Sequence, residues 1–219
     1  MIAFRVPAGR DDKVFLMRSL RFGFVLTFLL ALPSFAQKEA ALTLATISGP
    51  TRTTTSGSTL TLSNAVGFQG SYARQMRTYK YADLYGEVNA VLSPYQSVSG
   101  TATSATKDFT ALYVTPGVRI KFYPKNKLSP WAVGGGGYAL YSASSKTIVG
   151  GSSATSGTSS SGAVEFGGGL DYRWSSRLSF RFEARDFFTG TPHYNLPVSG
   201  KGQYNFLAGG GLVFHLGAK

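Results

Sequence analysis

The sequence predicts an all-β protein, an eight-stranded antiparallel up-and-down transmembrane β-barrel, and three observations carry that prediction. Apolar and polar residues alternate with a period of two through most of the chain from residue 37 onward. The connectors between these alternating segments are by turns long and short. The polar face of the segments is rich in glycine and carries charges of both signs in near balance. Period two gives a strand one apolar and one polar face. In a meander every other connector falls on the same side, so alternating lengths put the long links on one rim and the short links on the other.

Composition narrows the field. The 219 residues include no Cys, which excludes a disulfide scaffold, a Cys-ligated metal and a thiol nucleophile. With 43% hydrophobic and only 15% charged residues, the chain has the apolar content that disordered chains lack. The 27 Gly and 14% aromatic residues, spread over strand-length segments, favour a single all-β unit.

Residues 1–36 read as an N-terminal extension and a cleaved secretory signal peptide, and residues 37–219 as one barrel domain. From Met17, Met17-Arg18-Ser19-Leu20-Arg21 is a basic n-region, Phe22 to Leu32 an apolar h-region, and Ser34-Phe35-Ala36 a small-x-small cleavage site. The uncharged stretch ends at Pro33, short of the roughly 20 apolar residues a membrane-spanning helix needs. Residues 1–16 are either an extended n-region or lie upstream of a true start at Met17. The formal charge of +12 falls to +9 after residue 36. A secreted basic chain meets lipopolysaccharide phosphates or anionic glycans, so nucleic acid is not an expected partner.

The eight strands are predicted at 40–48, 64–76, 82–93, 109–123, 130–142, 163–174, 178–188 and 203–216. The first rests on Ala41-Leu42-Thr43-Leu44-Ala45. The second sets Val66, Phe68 and Tyr72 opposite Gly67, Gln69 and Ser71, and the third sets Leu84, Val88, Ala90 and Leu92 opposite Tyr85, Glu87, Asn89 and Val91. In the fourth, Leu112, Val114, Val118, Ile120 and Phe122 alternate with Tyr113, Thr115, Gly117, Arg119 and Lys121. Pro116 lies within it and lacks a ladder donor, which predicts a bulge or an interrupted hydrogen bond. The fifth runs through Gly134 to Gly137, and the polar face of the sixth is Glu165, Gly167, Gly169, Asp171 and Arg173. The seventh alternates Leu178, Phe180, Phe182 and Ala184 with Ser179, Arg181, Glu183 and Arg185; the eighth sets Tyr204, Phe206, Leu212 and Phe214 against Asn205, Gly209, Gly211 and His215. The long connectors are 49–63, 94–108, 143–162 and 189–202; the short ones are 77–81, 124–129 and 175–177.

Alternation alone leaves open which face points inward, since a secreted soluble barrel shows the same period with its apolar face inside. Three features favour a polar interior. Glycine is a poor strand former in water but makes room among long side chains inside a narrow eight-stranded barrel. Glu87, Glu165, Asp171 and Glu183 against Arg119, Lys121, Arg173, Arg181 and Arg185 nearly cancel, as charges enclosed by low-dielectric walls must. Aromatic residues gather near the predicted strand ends, as interfacial girdles require: Tyr72, Tyr81, Tyr85, Phe122, Tyr123, Trp131, Tyr172, Trp174, Phe187 and Phe188.

Reactive chemistry is sparse. The two histidines, His193 in a long connector and His215 near the short-connector end of the last strand, fall on opposite rims, and no His or carboxylate cluster has metal-ligand spacing. His193 stands near Ser199, which a Ser-His catalytic pair would use. The glycine runs lack the following helix and Gly-Lys-Ser/Thr of a phosphate loop. No catalytic, cofactor or metal site is expected.

The signal peptide, the four long and three short connectors, the Gly-rich strands and the run Leu-Ser-Phe-Arg-Phe-Glu-Ala-Arg-Asp-Phe (178–187) together resemble the OmpA/OmpX-type family of small bacterial outer-membrane barrels over residues 40–216. The resemblance implies an eight-stranded barrel in the outer membrane of a Gram-negative type of envelope, in a family whose members serve as structural proteins, adhesins or surface-exposed binding proteins. With the charge pattern it leads to the expectation of a non-enzymatic monomer with a structural or adhesion-like surface-contact role and an interior closed by the ion-pair network. It implies membrane lipid, lipopolysaccharide and the barrel insertion machinery as partners, and a surface partner through the outer loops. No peptidoglycan-binding domain is expected. Family members usually end on an aromatic residue, whereas here Phe214 is followed by five more residues. The alternatives are a narrow passive pore, a secreted soluble β-barrel that binds an apolar ligand and, more remotely, an outer-membrane lipid hydrolase.

Overall fold

The computed structural model describes residues 37–152, 157–192, 196, 199–200 and 202–216. The reading of residues 1–36 lies outside these, as does His193. The strands are β1 (Lys38–Ser48), a short hairpin of β2 (Thr51–Thr53) and β3 (Thr59–Leu62), then β4 (Ala65–Thr78), β5 (Ala82–Gly100), β6 (Asp108–Phe122), β7 (Leu128–Ala143), β8 (Gly157–Arg173), β9 (Leu178–Gly190) and β10 (Gly202–Leu216). From β4 to β10 each strand pairs antiparallel with the next, and β1 pairs with both β4 and β10. The sheet therefore closes into a ring of eight, the register at the seam running from Lys38↔Leu216 to Ser48↔Phe206.

The ring matches the expected strand number and order, while three local expectations need correction. Connector 49–63 holds the β2–β3 hairpin, whose β3 pairs with the far end of β5 (Leu60↔Gly100, Leu62↔Val98). Thr59-Leu60-Thr61-Leu62 is itself an alternating segment, and it buries its two leucines. Strands β5 and β8 also run well into the connectors expected at 94–108 and 143–162. A ladder wet on both faces needs no apolar alternation, so polar Gly157–Gly162 continues it opposite Tyr138–Ala143. At Pro116 the expected disturbance takes the second of its two forms: no bulge forms, and pairing with β7 skips Thr115 and Pro116 while the register on either side is unchanged (Val114↔Tyr138, Gly117↔Gly135). The bulges lie elsewhere, on β4 at Met76 and on β5 between Ser93 and Gln96, where Pro94 sits at a position that tolerates a missing donor.

In the ring strands the inward side chains are the odd-numbered ones, until the bulge in β5 shifts the parity and turns Gln96 and Val98 inward. The outward face is apolar and open: Leu42 is 66% exposed and Phe182 63%, with Leu44, Phe68, Phe166 and Phe206 alike. A soluble barrel needs the opposite arrangement, because this much contiguous apolar surface is not stable in water. The ring strands, 11 to 19 residues long, meet or exceed the 9–11 residues that a tilted strand needs to cross a bilayer. Tyr81, Tyr123 and Trp174 stand exposed at the short-connector end. Three residues expected in that girdle, Tyr85, Trp131 and Phe187, instead lie inside the barrel, buried. Their odd numbers already placed them on the polar face.

Interior glycines flank the longest inward side chains. Arg181, Glu183 and Arg185 on β9 face Asp171, Gly169 and Gly167 on β8, and Gly211, Gly209 and Leu207 on β10. A Cβ on Gly169 would sit 2.4 Å from the Phe182 carbonyl oxygen and 2.6 Å from the Trp131 ring, whereas one on outward Gly210 meets nothing closer than 3.5 Å. Gly169→Ala will therefore destabilise the barrel by about 1–3 kcal/mol. Gly210→Ala will leave the urea unfolding midpoint unchanged, and equal midpoints for the two variants would refute the crowding argument.

Candidate functional site: the barrel interior and its two mouths

The interior is a stack of three layers. In the layer nearest the short connectors, Lys121 Nζ lies 3.0 Å from Glu39 Oε1 and 2.8 Å from Asp171 Oδ2, and Arg181 grips Asp171 through Nε (2.8 Å) and Nη2 (3.0 Å). Arg119 bonds Glu39 and reaches Glu87 Oε2 at 2.9 Å. In the next layer Arg185 donates to Glu183 Oε2 (2.7 Å), Glu87 Oε1 (2.9 Å) and Glu165. Glu87 thus bridges the two layers. Neutral donors add further bonds to two of the carboxylates: Thr43 (2.6 Å) and Gln69 (3.2 Å) to Glu183, and Asn89 (3.1 Å) and Thr115 to Glu165.

Trp131 is the hub. Its indole donates to Asp171 Oδ1 at 3.1 Å, and the guanidinium carbons of Arg181, Arg185 and Arg119 stand 4.8, 5.1 and 5.6 Å from its ring. Three cations around one ring face a quadrupole that attracts positive charge. The outermost layer is apolar: Tyr113 packs on Phe187 (5.0 Å) and Tyr141 (5.9 Å), and Ile47, Leu207, Leu60, Leu62, Val98 and Ala105 belong to the same buried cluster. The residues of the β2–β3 hairpin and of the long β5–β6 connector thereby cap the barrel on the long-connector side.

Of the nine residues expected in the network, the structure brings together Glu87, Arg119, Lys121, Glu165, Asp171, Arg181, Glu183 and Arg185. Arg173 is not among them. It sits at the short-connector mouth, where its guanidinium bonds the Pro124 carbonyl and its backbone N–H donates to Lys127 O at 2.7 Å. Position 173 is at the last turn-ward step of β8, two residues below the layer of Asp171, so its side chain reaches the turn rather than the acids. Glu39 takes part although the strand prediction began at residue 40. The paired set is five carboxylates and four cations, against an expectation of four and five.

His215 stands between this network and the mouth. Its Nε2 lies 2.8 Å from Ser179 Oγ, and its Nδ1 lies 3.4 Å from Glu39 Oε1. The order Ser–His–carboxylate is that of a nucleophile, its base and an orienting acid. Here Ser179 is 1% exposed, under the wall of the barrel, with no path for an acyl substrate to its oxygen. The histidine's serine neighbour is thus Ser179 on the adjacent strand. The mouth itself is a recess of about 850 Å³ lined by the short-connector residues, Asp83, Arg173 and His215.

No protein-family model matches the sequence, and no curated protein does. Among solved structures, the outer membrane protein OprG from Pseudomonas aeruginosa superposes with a TM-score of 0.51 over 83% of this chain and 96% of its own, at 10% identity. The fold is that of a small bacterial outer-membrane β-barrel. Two more such barrels align over their full or nearly full lengths. Neisserial surface protein A gives a TM-score of 0.49 at 14% identity, covering 84% of this chain and 98% of its own. Ail, the attachment invasion locus protein of Yersinia pestis, gives 0.46 at 15% identity, covering 83% and 100%. The outer-membrane barrel fold accounts for the inversion of faces, since its outside meets lipid and its inside must satisfy every charge it holds. Among the described residues no helix is long and apolar enough to cross a membrane, and no group of His, Asp and Glu has the arrangement of a metal site.

Proposed function

We propose that this protein is a closed, non-enzymatic outer-membrane barrel that does its work at its surface, as an envelope component whose long-connector rim makes contact outside the cell. The observation that carries this reading is the doubly sealed interior. Two layers of mutually paired charge fill the cross-section, with Arg119, Arg181 and Arg185 each at most 1% exposed, and an apolar cap lies over them. An ion crossing this path would have to displace paired charges from a low-dielectric enclosure, where breaking one pair costs several kcal/mol.

The outer rim suits contact. Ladder pairing continues through polar Gly157–Gly162, and Arg52, Lys107 and Lys146 place cations on the long connectors, where lipopolysaccharide phosphates are the nearest anions. The wall itself is matched to lipid, with insertion assisted by the barrel assembly machinery. A monomer suffices, because the ring closes within one chain.

Planar-bilayer recording of the refolded chain from residue 37 tests the reading. We expect no steady conductance at 100 mV of either sign. A stable ohmic step at low voltage would overturn the closed barrel in favour of a narrow pore.

A further inference from the structure

The short-connector mouth carries a charge that the sealed interior does not use. The three turns there, 79–81, 123–127 and 174–177, contain Lys80, Lys125, Lys127 and Arg177 and no carboxylate. None of these four, nor Arg77 and Arg173 beside them, makes an ion pair among the described residues, in contrast to the tightly paired cations a few ångströms deeper. Like charges gathered with too little counter-charge cost stability at low ionic strength, and an anion seated among them relieves that cost.

The arrangement is a recess and not a flat patch. Its volume is about 850 Å³, and Lys80, Lys125 and Arg173 line it with the amides of Gln37, Gln75 and Asn126. Arg173 is fixed in place: its guanidinium and backbone N–H both bond the 123–127 turn, so β8 and that turn present Arg173 and Lys125 as one unit. Lys80 is held over the Tyr81 ring at 5.1 Å, and Tyr81 packs on Tyr123 at 6.4 Å, which joins the first turn to the second. Among the described residues a single carboxylate, Asp83, lines the recess, against three cations.

We propose that this recess binds a phosphate ester, with Lys80, Lys125 and Arg173 as its charge partners and the side-chain amides as neutral donors. A phosphate group offers several strong acceptor oxygens to donors converging from different directions, and a guanidinium with two ammonium groups is suited to take them. The neighbouring exposed rings Tyr79, Tyr81, Tyr123 and Trp174 belong at headgroup level, so the nearest phosphate esters are the phosphodiesters of inner-leaflet phospholipid; a soluble phosphate ester carries the same group. The phosphate chemistry stands on the recess alone. Only the lipid as its source rests on the membrane reading above.

The test is native mass spectrometry and detergent-phase titration of the folded chain from residue 37, with phosphatidylglycerol against phosphatidylcholine. Binding that prefers phosphatidylglycerol is expected. Lys80→Gln/Lys125→Gln, both on exposed turn positions, will weaken it about 25-fold, at roughly fivefold per cation. Lys127→Gln/Arg177→Gln, in the same turns but outside the recess, will change it less than about threefold. Competition by sn-glycerol 3-phosphate at millimolar concentration assigns the recess to soluble phosphate esters, and competition only by acylated lipid assigns it to the headgroup; both uphold the site. Equal losses in the two double variants mean diffuse surface attraction and overturn it, as does the absence of any phosphatidylglycerol preference. A conducting barrel with intact binding would refute the closed-barrel reading and leave this one standing.

Discussion

Replacing Arg185 with Leu will cost the barrel about 3–5 kcal/mol of folding stability, the largest loss expected of any single substitution in the interior. Arg185 is the one cation that contacts Glu87, Glu165 and Glu183 together, and it also faces the Trp131 ring. Without it three buried carboxylates lose their shared counter-charge, and the hydroxyl and amide donors from Thr43, Gln69, Asn89 and Thr115 cannot replace a formal charge. Urea unfolding in lipid vesicles, followed by tryptophan fluorescence and by the boiled-against-unboiled mobility shift, measures the loss. Adding Glu165→Gln to Arg185→Leu will recover part of it, because the partner removed is one of those left unpaired; such coupled residues deviate from additivity by about 0.5–3 kcal/mol. A loss below about 1 kcal/mol for Arg185→Leu would show that water reaches this layer and that the pairs do not seal it.

On the opposite face, Phe182→Lys will destabilise the barrel by about 2–4 kcal/mol in vesicles, the cost of a cation near the bilayer midplane. Phe182 projects outward from β9 between Phe180 and Ala184, opposite Leu170 on β8 and Gly210 on β10, with no charged neighbour on that face. Phe182→Leu keeps the face apolar and will cost well under half as much. Vesicle titrations of the two variants decide the matter. If lysine is tolerated as well as leucine, the outward face does not meet lipid, and a soluble barrel returns as the account of the fold.

Most of the ring was legible because period two is a local property of each strand, and because connector length reports the rim directly. The eight network residues were legible for the same reason. What escaped depended on neighbours in space. Glu39 is the second residue of β1, where alternation is brief, and it is the pairing with both β4 and β10 that carries the strand far enough to turn it inward. Tyr85, Trp131 and Phe187 were assigned by type and by nearness to strand ends, although parity in their own strands pointed inward. Aromatic rings serve both as interfacial anchors and as partners for guanidinium, so type alone does not separate the two. Arg173 shows the converse. Its parity is inward, but its height in the barrel, set by where β8 meets the turn, decides that it serves the mouth. The cap was missed because Leu60 and Leu62 sit in a Ser/Thr-rich stretch whose composition reads as loop.

The seam between β1 and β10 joins positions that are 178 residues apart along the chain at Lys38↔Leu216. Every other strand of the ring except β1 at its β4 side finds its partner just across one connector, so those hairpins form from local encounters, while the last ladder depends on the whole polypeptide having been made. Until that moment two long edges of unpaired backbone N–H and C=O groups stand open, each a template for joining another chain. Between formation of the first hairpins and closure of the seam those edges stay open, and the stability of the finished wall does nothing to protect them.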